Sequence, residues 1–328
     1  MGDAMQILKI DGVSLDGVCA CLPRTREDNL ERCMRLYGDA KKAATVVKAT
    51  GVSGRRVAAK GTTSLDLCAK AAERLMKDAD VAADQVGGVV FVTFTSATAM
   101  PCNACQAQMR LGLPNDIVAF DVGLACSGYA YGLYLAGTLA KATGKKVLLL
   151  DGDVQTPFVR PDDGDTVPVL ADAGTATLVS PSPATGVWKF AFLSKGEGGA
   201  ALTLPVGGTI SMDGFGVYKF VAKDVSRFLS AFMAEAGVGA ADIDAFVPHQ
   251  ANVYMVRQLA RELKIPAEKL LVSGDEVGNS ASATVPVTIS RCAKSGQRLL
   301  LSGFGGGLSA SVAALTLPED VLLQSIDY

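Results

Sequence analysis

The run Phe120-Asp121-Val122-Gly123-Leu124-Ala125-Cys126-Ser127-Gly128-Tyr129 decides how this chain folds. Its apolar first residues predict a strand, Gly123 predicts a tight turn, and the residues from Cys126 onward predict the start of a helix. The small residues of that helix leave it thin on several sides: Ser127, Gly128, Ala130, Gly132, Ala136 and Gly137. Other elements can approach such a helix closely, so we expect it in the middle of the fold.

Cys126 lies where this helix begins. A thiol in the first turn of a helix faces unpaired backbone N–H groups and the positive end of the helix dipole, which lower its pKa and favour the thiolate. We therefore interpret Cys126 as a nucleophile. The alternative is a buried structural cysteine, which is the usual role of this residue type.

The composition bounds the classes of protein to which the chain can belong. Hydrophobic residues make up 49% of its 328 residues, which indicates an extensive core. The net charge of −2 and the absence of a Lys/Arg block argue against a nucleic-acid partner. The first residues lack a basic segment followed by an apolar one, and no apolar run reaches about 18 residues, so we expect a cytoplasmic protein without a membrane span.

The cysteines predict neither disulfides nor a metal site. In a cytoplasmic chain, eight cysteines are expected to be free thiols. Cys102 and Cys105 form a C-x-x-C pair, and Cys19 and Cys21 also lie close together, but the chain has one histidine and no second C-x-x-C pair at zinc spacing. We therefore expect no metal and interpret Cys105 as a thiol that packs on a helix.

Periodicity and turn residues predict the elements around this centre. Residues Gln6–Val18 indicate a strand or a hairpin, and Thr25–Asp28 indicates a capped helix start, with the helix ending at Gly38. Residues Lys41–Lys60 are polar and predict a solvated loop. The remaining predictions are an amphipathic helix from about Ser64 to Met76, a buried strand over Val89–Phe94, an irregular polar crossover, and a helix over Tyr218–Gly237.

A faint internal repeat predicts the architecture. Three pairs of segments match in order, at spacings that shrink from 157 through 155 to 151 residues: Met76–Val90 with Met233–Val247, Val122-Gly123 with Val277-Gly278, and Val147–Gly152 with Arg298–Gly303. Two similar halves with unequal loops produce this pattern. We predict a duplicated α/β fold whose first half, residues 1–180, carries Cys126, and whose second half, residues 181–328, carries the histidine and a Gly-rich turn.

The repeat also predicts which second-half residues reach Cys126. The turn Val277-Gly278-Asn279-Ser280-Ala281 is equivalent to the turn that bears Cys126, so Asn279 is expected at the same site. His249, the sole histidine, follows a predicted strand end, where α/β folds place their ligands. The turn Gly303–Gly307 exposes backbone N–H groups, which suits an oxyanion hole. Phosphate binding is the alternative use of this turn, but the P-loop and G-x-G-x-x-G patterns are missing.

These motifs resemble the β-ketoacyl-[acyl-carrier-protein] synthase III family, which has the thiolase fold. The shared features are a helix-capping cysteine, His249-Gln250-Ala251-Asn252, Gly278-Asn279-Ser280 and the C-terminal Gly-rich turn, and the match runs colinearly from about Thr50 to Leu315. The resemblance implies a duplicated, thiolase-like five-layer αβαβα fold and a homodimer. It also implies a ping-pong condensation without a cofactor, in which acyl-coenzyme A or an acyl-carrier protein is a substrate.

The resemblance further implies roles for individual residues. Cys126 would take an acyl group from a thioester, with the backbone N–H groups of Cys126 and Gly306 as the oxyanion hole. His249 and Asn279 would donate two hydrogen bonds to the enolate that forms when a malonyl thioester loses CO2. Phe304 would shield the site from water, and Met100 would reach across the dimer to the partner's acyl pocket. The implied substrate-binding positions are Thr50, Met100, Leu204, Gly214, Tyr218, Asn252 and Phe304.

The chain departs from the family at the mouth for coenzyme A. Thr45 and Ala49 stand where family members that use coenzyme A tend to carry Trp and Arg, and Gly164 and Tyr254 align with two further arginine positions. Adenine stacking and phosphate pairing are thereby weakened, which favours an acyl donor carried on a protein. Three basic residues after His249 could attract an acidic carrier protein or form a solvated helix face: Arg257, Arg261 and Lys264.

Other functions are disfavoured or stay open. Cys126, His249 and Asn279 occur in the order of a papain-like protease, but Ser127-Gly128 replaces the protease pattern of Cys followed by Trp or Tyr, and the halves are repeated. A degradative thiolase would carry a second cysteine in the final Gly-rich turn. Two alternatives stay open: an acyltransferase of the same family that forms an ester or amide without decarboxylation, and a carrier-binding module without catalysis.

Overall fold

The computed structural model describes residues 5–183 and 186–328. The strands are β1 (Leu8–Ile10), β2 (Val13–Leu22), β3 (Arg26–Asp28), β4 (Gly54–Arg56), β5 (Val86–Val92), β6 (Val118–Val122), β7 (Lys146–Asp153), β8 (Ala173–Pro181), β9 (Trp188–Ser194), β10 (Leu202–Thr203), β11 (Ser211–Met212), β12 (Ala245–Pro248), β13 (Arg298–Gly305), β14 (Ser309–Thr316) and β15 (Leu322–Asp327). The helices are α1 (Asn29–Tyr37), α2 (Ala40–Thr50), α3 (Ser64–Asp78), α4 (Asn103–Arg110), α5 (Gly128–Thr143), α6 (Gly214–Phe220), α7 (Ser226–Glu235), α8 (Val253–Glu262), α9 (Gly274–Val277) and α10 (Thr284–Cys292).

Two large sheets organise these elements. The first has the strand order β15-β2-β8-β7-β5-β6, and the second has the order β1-β9-β14-β13-β12. The series β2-β8-β7-β5 in the first sheet corresponds to β9-β14-β13-β12 in the second, with the parallel pair β5/β7 matched by β12/β13. Two of the three segment pairs in the sequence repeat therefore end or lie on equivalent strands, β5 with β12 and β7 with β13. In the third pair, Val122 ends β6 whereas Val277 ends α9. The predicted duplicated α/β fold is confirmed.

The two sheets exchange their outermost strands. The N-terminal β1 pairs with β9 of the second sheet, and the C-terminal β15 pairs with β2 of the first. This exchange ties both ends of the chain to the opposite sheet. The division at residues 180 and 181 therefore stays a prediction of the sequence.

Helices fill the space between the sheets and cover both outer faces. Helix α5 contacts β5 and β7 on one side and β13 and β14 on the other, and α10 contacts β2 and β12. Because strand side chains alternate between faces, Leu149 packs with the central helix α5 and Leu148 packs with α3. In the second sheet, Leu301 lies in the central core and Leu300 packs against α7 and α8. The result is the predicted five layers, αβαβα.

The small residues of α5 permit its central position. A Cβ atom added at Gly128 would lie 2.5 Å from Cγ1 of Val92, and one added at Gly132 would lie 2.6 Å from Cδ1 of Leu149. Both distances are shorter than carbon atoms tolerate, so side chains at these positions would push the helix off the sheet. The prediction of a thin helix in the middle of the fold is confirmed.

Several local predictions are wrong or incomplete. Residues Gln6–Val18 do not form a hairpin, because β1 and β2 belong to different sheets. The predicted loop Lys41–Lys60 contains α2 and β4 instead. Helix α2 forms because Asp39 Oδ1 accepts a hydrogen bond from the Lys42 N–H at one end, and Gly51 at φ 71° ends the helix at the other.

Three further elements differ in detail from the predictions. The first helix has its N-cap at Asp28, since the residues just before it pair as β3 with β4. The helix predicted over Tyr218–Gly237 begins earlier, at Gly214, and contains a π-helical turn at Val221–Val225. Cys105 lies on α4 but its side chain is exposed, so the prediction that it packs is wrong.

The eight cysteines are free thiols. Within the described ranges, the side chains that could hold a metal ion do not gather into groups of three or more. Nor does any helix in those ranges have both the length and the apolar character that crossing a bilayer requires.

Candidate active site

A cavity of about 680 Å³ opens where strands of both sheets end. Cys126 follows β6 of the first sheet, and His249 follows β12 of the second. The predicted site residues that line the cavity are Thr50, Cys126, Leu204, Gly214, His249, Asn252, Asn279, Phe304 and Gly306. Met100, which is 87% exposed, and Tyr218 lie outside the lining of this cavity in the single chain.

Two consecutive tight turns place Cys126. The Leu124 N–H donates to the Val122 carbonyl, and the Gly128 N–H donates to the Ala125 carbonyl at 2.7 Å. Helix α5 begins at Gly128, so the cysteine stands just before the first turn. The backbone N–H groups of Cys126 and Gly306 both interact with the Cys126 thiol. Two donors thus converge on the sulfur atom, one from each half of the chain.

The resting state of Cys126 differs from the prediction of a lowered pKa. Burial, with a smaller contribution from the nearby carboxyl groups of Asp153 and Asp151, raises the pKa of the Cys126 thiol to about 12, although the two backbone N–H groups oppose the rise. The helix end favours the thiolate, but the buried acids, which come from a different strand, oppose it. Desolvation of the sulfur outweighs the helix end, so the resting cysteine is a neutral thiol.

We expect the alkylation of Cys126 by iodoacetamide to reflect this high pKa. Because thiolate is the reactive form, its rate should rise about tenfold per pH unit from about pH 7 to about pH 10. Peptide mass spectrometry that localises the adduct to Cys126 measures the rate at each pH. Free glutathione under the same conditions is the control, and its rate should level off in the upper part of that range. A rate at Cys126 that is already constant near pH 7 would instead support a lowered pKa.

The Gly-rich turn lies directly against the nucleophile. A Cβ atom added at Gly303 would lie 2.7 Å from the backbone oxygen of Cys126 and 2.8 Å from Cα of Ser127. One added at Gly305 would lie 3.0 Å from Cys126 Sγ. These glycines therefore let the second half approach the cysteine closely enough for the Gly306 N–H to reach it.

We expect Gly303→Ala to lower the free energy of unfolding by about 1–3 kcal/mol, since its methyl group would press on backbone atoms that cannot rotate away. Urea denaturation followed by circular dichroism measures the change. Gly123→Ala is the matched control, because a Cβ atom there meets nothing within 4 Å. Equal stability of the two variants would show that the close approach at Gly303 is not restrictive.

His249 is buried and uncharged. Its backbone N–H donates to the Ser302 carbonyl at 2.7 Å, which fixes the end of β12 beside β13. The Nδ1 atom lies 2.7 Å from Thr284 Oγ1, and the ring meets Phe304 edge-on with the centroids 5.3 Å apart. Burial lowers the pKa of the imidazole to about 3, so the ring is neutral at physiological pH.

Asn279 is held by backbone contacts on both sides. Its Oδ1 accepts the Ala281 N–H at 3.0 Å, and its Nδ2 lies 3.4 Å from the Ala251 carbonyl. Its own N–H donates to the Val169 carbonyl, and its carbonyl accepts the Ala171 N–H, both at 2.8 Å. Second-half residues therefore hold the side-chain amide, and first-half residues hold the backbone that carries it.

Gln155 is a site residue that the sequence reasoning missed. Its Nε2 donates to the Asn279 carbonyl at 2.6 Å and to the Ala171 carbonyl at 2.9 Å, and its side chain lines the cavity. The sequence feature that could have identified Gln155 is its position two residues after the end of β7, because functional side chains often follow strand ends in α/β folds.

Buried acids behind Cys126 were also missed. Oδ1 of Asp153 accepts hydrogen bonds from the hydroxyl and backbone N–H groups of Thr95 and from the Thr93 hydroxyl. Asp151 Oδ1 accepts from the Ser282 hydroxyl at 2.6 Å. The sequence feature that could have identified them is the pair of acidic residues, two positions apart, in the otherwise apolar strand β7.

The mouth of the cavity is not basic. Its lining, as far as the structure describes the chain, includes neither lysine nor arginine, whereas Asp165 contributes a carboxylate. The Tyr37 hydroxyl donates to the Gly164 carbonyl at 3.1 Å, which closes part of the mouth where the sequence lacks an arginine. Tyr254, at another missing arginine position, is 52% exposed.

Known proteins resemble this chain in sequence and in structure. Residues 120–196 match the family described as 3-oxoacyl-[acyl-carrier-protein (ACP)] synthase III, and residues 233–317 match the C-terminal part of that family. The β-ketoacyl-[acyl-carrier-protein] synthase III 2 of Streptomyces coelicolor is 34% identical over 315 residues, which cover 93% of each chain. A synthase III of Desulfitobacterium hafniense is 32% identical over 293 residues, which cover 82% of this chain and 88% of that protein.

The fold agrees with this similarity. The crystal structure of a 3-oxoacyl-(acyl-carrier protein) synthase from Burkholderia xenovorans superimposes with a TM-score of 0.95, covers 99% of both chains and is 31% identical. The similarity thus extends over nearly the whole chain and includes both sheets. The chain belongs to the β-ketoacyl-[acyl-carrier-protein] synthase III family.

Proposed function

We propose that the protein is a transferase that condenses an acyl thioester with a malonyl thioester, through an acyl-Cys126 intermediate, to give a β-ketoacyl thioester. The observation that carries this proposal is the meeting of Cys126, His249 and Asn279 around one cavity, although they come from different sheets or turns. Family membership supports the same reaction. Cys126 is the nucleophile, and His249 and Asn279 act on the second substrate.

The first half-reaction transfers the acyl group to sulfur. Cys126 Sγ attacks the carbonyl carbon of the donor thioester, the bond from that carbon to the donor sulfur breaks, and the thiol proton leaves with the released thiol. The N–H groups of Cys126 and Gly306 are placed to stabilise the oxyanion during the attack. Because the thiol is neutral at rest, this half-reaction transfers one proton and leaves no net charge in the cavity.

The second half-reaction forms the new carbon–carbon bond. The malonyl thioester loses CO2, and the electron pair of the broken bond becomes an enolate on the thioester carbonyl. The enolate carbon attacks the acyl-Cys126 carbonyl, the bond to sulfur breaks, and the thiolate takes up one proton. Hydrogen bonds from the neutral His249 imidazole and the Asn279 amide to the enolate oxygen stabilise the charge that develops.

The substrates follow from the cavity and its mouth. Apolar side chains form much of the lining, including Phe94, Leu202 and Leu204, which suits an acyl chain. The lack of basic residues at the mouth favours a donor and a malonyl group carried on acyl-carrier protein over coenzyme A. We propose that thioesters are the substrates and that the reaction needs no cofactor.

We propose a cytoplasmic homodimer with the two halves divided at residues 180 and 181. Met100, which is 87% exposed in the single chain, would form the bottom of the partner's acyl pocket. Thr50, Leu204, Gly214 and Asn252 would contact the substrate within the cavity, and Tyr218 would contact it from outside the mouth.

The alternative is an acyltransferase that forms an ester or amide without decarboxylation, and the mouth without basic residues is the observation that favours it. Incubation with acyl-carrier protein donors of different length and with malonyl-carrier protein distinguishes the two. We expect an acyl mass increase on Cys126, release of CO2 and a β-ketoacyl product. Acylation of Cys126 without CO2 or β-ketoacyl product would contradict the condensation and favour acyl transfer, and no acylation would contradict both.

A further inference from the structure

Thr284, the first residue of α10, connects the imidazole to the backbone around it. Its Oγ1 lies 2.7 Å from His249 Nδ1, 3.1 Å from the Gln250 backbone nitrogen and 2.8 Å from the Ala281 carbonyl oxygen. Both the threonine and the histidine are 1% exposed. Water therefore does not replace any of these three contacts.

A threonine hydroxyl has one proton to donate, so only one of two bonding patterns can exist at a time. In the first, the hydroxyl donates to the Ala281 carbonyl, and its oxygen must accept a hydrogen bond from the His249 Nδ1–H group. In the second, the hydroxyl donates to Nδ1. The Gln250 N–H is accepted by Oγ1 in both patterns.

The two patterns fix opposite tautomers of the neutral ring. When Nδ1 carries the proton, Nε2 has a lone pair and can only accept. When Nδ1 accepts from the threonine, the ring proton sits on Nε2, which can then donate. Since stabilisation of an enolate oxygen requires a donor, only the second tautomer supports the condensation.

The Ala281 carbonyl does not need the threonine hydroxyl. It already accepts the backbone N–H of Thr284 at the start of the helix. The hydroxyl is therefore available to Nδ1 without leaving a buried carbonyl unpaired. The Ala281 carbonyl also interacts with the ring, and its contact with Thr284 Oγ1 places it on the Nδ1 side of the ring. Without the hydroxyl, we expect this carbonyl to favour the proton on Nδ1.

We propose that Thr284 is a positioning residue that donates its hydroxyl proton to His249 Nδ1 and so keeps the ring proton on Nε2, facing the enolate. This inference rests on the proposed condensation and adds a residue to it. Thr284 does not touch the substrate and acts only through the histidine.

The first test compares the two half-reactions in Thr284→Val, Thr284→Ser and the matched control Thr288→Val. Thr288 is a buried threonine one turn further along α10, and its hydroxyl bonds to the Thr284 carbonyl and to Ser273, away from the ring. In Thr284→Val we expect condensation to fall about 10- to 100-fold, because the ring loses its donor. Acylation of Cys126 should stay within about threefold of wild type, and Thr284→Ser and Thr288→Val should retain condensation.

An equal loss of acylation and condensation in Thr284→Val would overturn the proposal, and so would the same loss of condensation in Thr288→Val. Either result would indicate a general structural role of the threonine rather than an effect on one tautomer.

The second test observes the tautomer directly. The chain has one histidine, so ¹⁵N-histidine labelling of untagged protein gives the signals of His249 alone. We expect the proton on Nε2 in the wild type and on Nδ1 in Thr284→Val. A proton on Nδ1 in the wild type would overturn the proposal, and this measurement requires no variant to fold. It is also independent of activity: a wild type that forms no β-ketoacyl product would contradict the proposed function, while the tautomer would still test the role of Thr284.

Discussion

Cys126→Ala should remove the acyl mass increase and lower the rate of condensation at least about 10⁴-fold, equivalent to about 5.4 kcal/mol of transition-state stabilisation. The effect is large because the variant lacks the atom that carries the acyl group between the two half-reactions. The small alanine fits beside Gly305, so the fold and the cavity should persist. Intact mass after incubation with an acyl thioester, and product formation with malonyl-carrier protein, measure the two steps.

Cys105→Ala is the matched control for this experiment. Cys105 is an exposed free thiol on α4, so its removal changes the number of reactive thiols without touching the cavity. We expect both the acyl adduct and the condensation to be retained in that variant. If Cys126→Ala still carried the acyl group, another residue would be the nucleophile, and the proposed mechanism would be wrong.

Asn279→Asp and His249→Ala should separate the two half-reactions. We expect condensation to fall about 10²- to 10³-fold in each, about 2.7–4 kcal/mol, because each variant loses a donor to the enolate oxygen. Asn279→Asp keeps the shape of the side chain and the acceptor for the Ala281 N–H, but adds a negative charge beside a developing negative charge. Acylation of Cys126 needs neither donor and should stay within about tenfold of wild type.

Mass spectrometry of samples quenched at successive times measures the rate of Cys126 acylation. Release of CO2 from malonyl-carrier protein measures the rate of condensation. Asn115→Asp, the same substitution at an exposed position, should change neither rate. The double variant should lose less than the product of the single losses, since two donors to one oxygen act as a unit. A loss of acylation as large as the loss of condensation in Asn279→Asp would contradict the assignment of Asn279 to the second substrate.

The division of the fold into two similar α/β halves could be predicted because the sequence contains the same pattern of elements twice. Each half must bury strands and helices of the same size, so the spacing between matched residues survives even where few residues agree. The glycines of α5 predict its central position for a physical reason. A helix with few side chains on several faces gains stability only when other elements pack on those faces.

The loop predicted over Lys41–Lys60 shows where local reasoning failed. Polarity alone does not distinguish a loop from a helix on the surface, and Asp39 and Gly51 supply the caps of α2. Near the N-terminus a strand or a hairpin was predicted; strands form, but the hairpin alternative is wrong for a different reason. Nothing local to β1 and β2 indicates that their partners are β9 and β8, more than a hundred residues away.

By itself, the sequence determined the duplicated layout and the residue types at the cavity, because turns and strand ends are encoded by neighbouring residues and the repeat is a match between two stretches of sequence. The protonation of Cys126, the orientation of Asn279 by Gln155 and the contact of His249 with Thr284 were decided only in the tertiary structure. Each depends on burial and on groups that folding brings together from distant parts of the chain, and the free energy of a charge or a hydrogen bond is set by those surroundings.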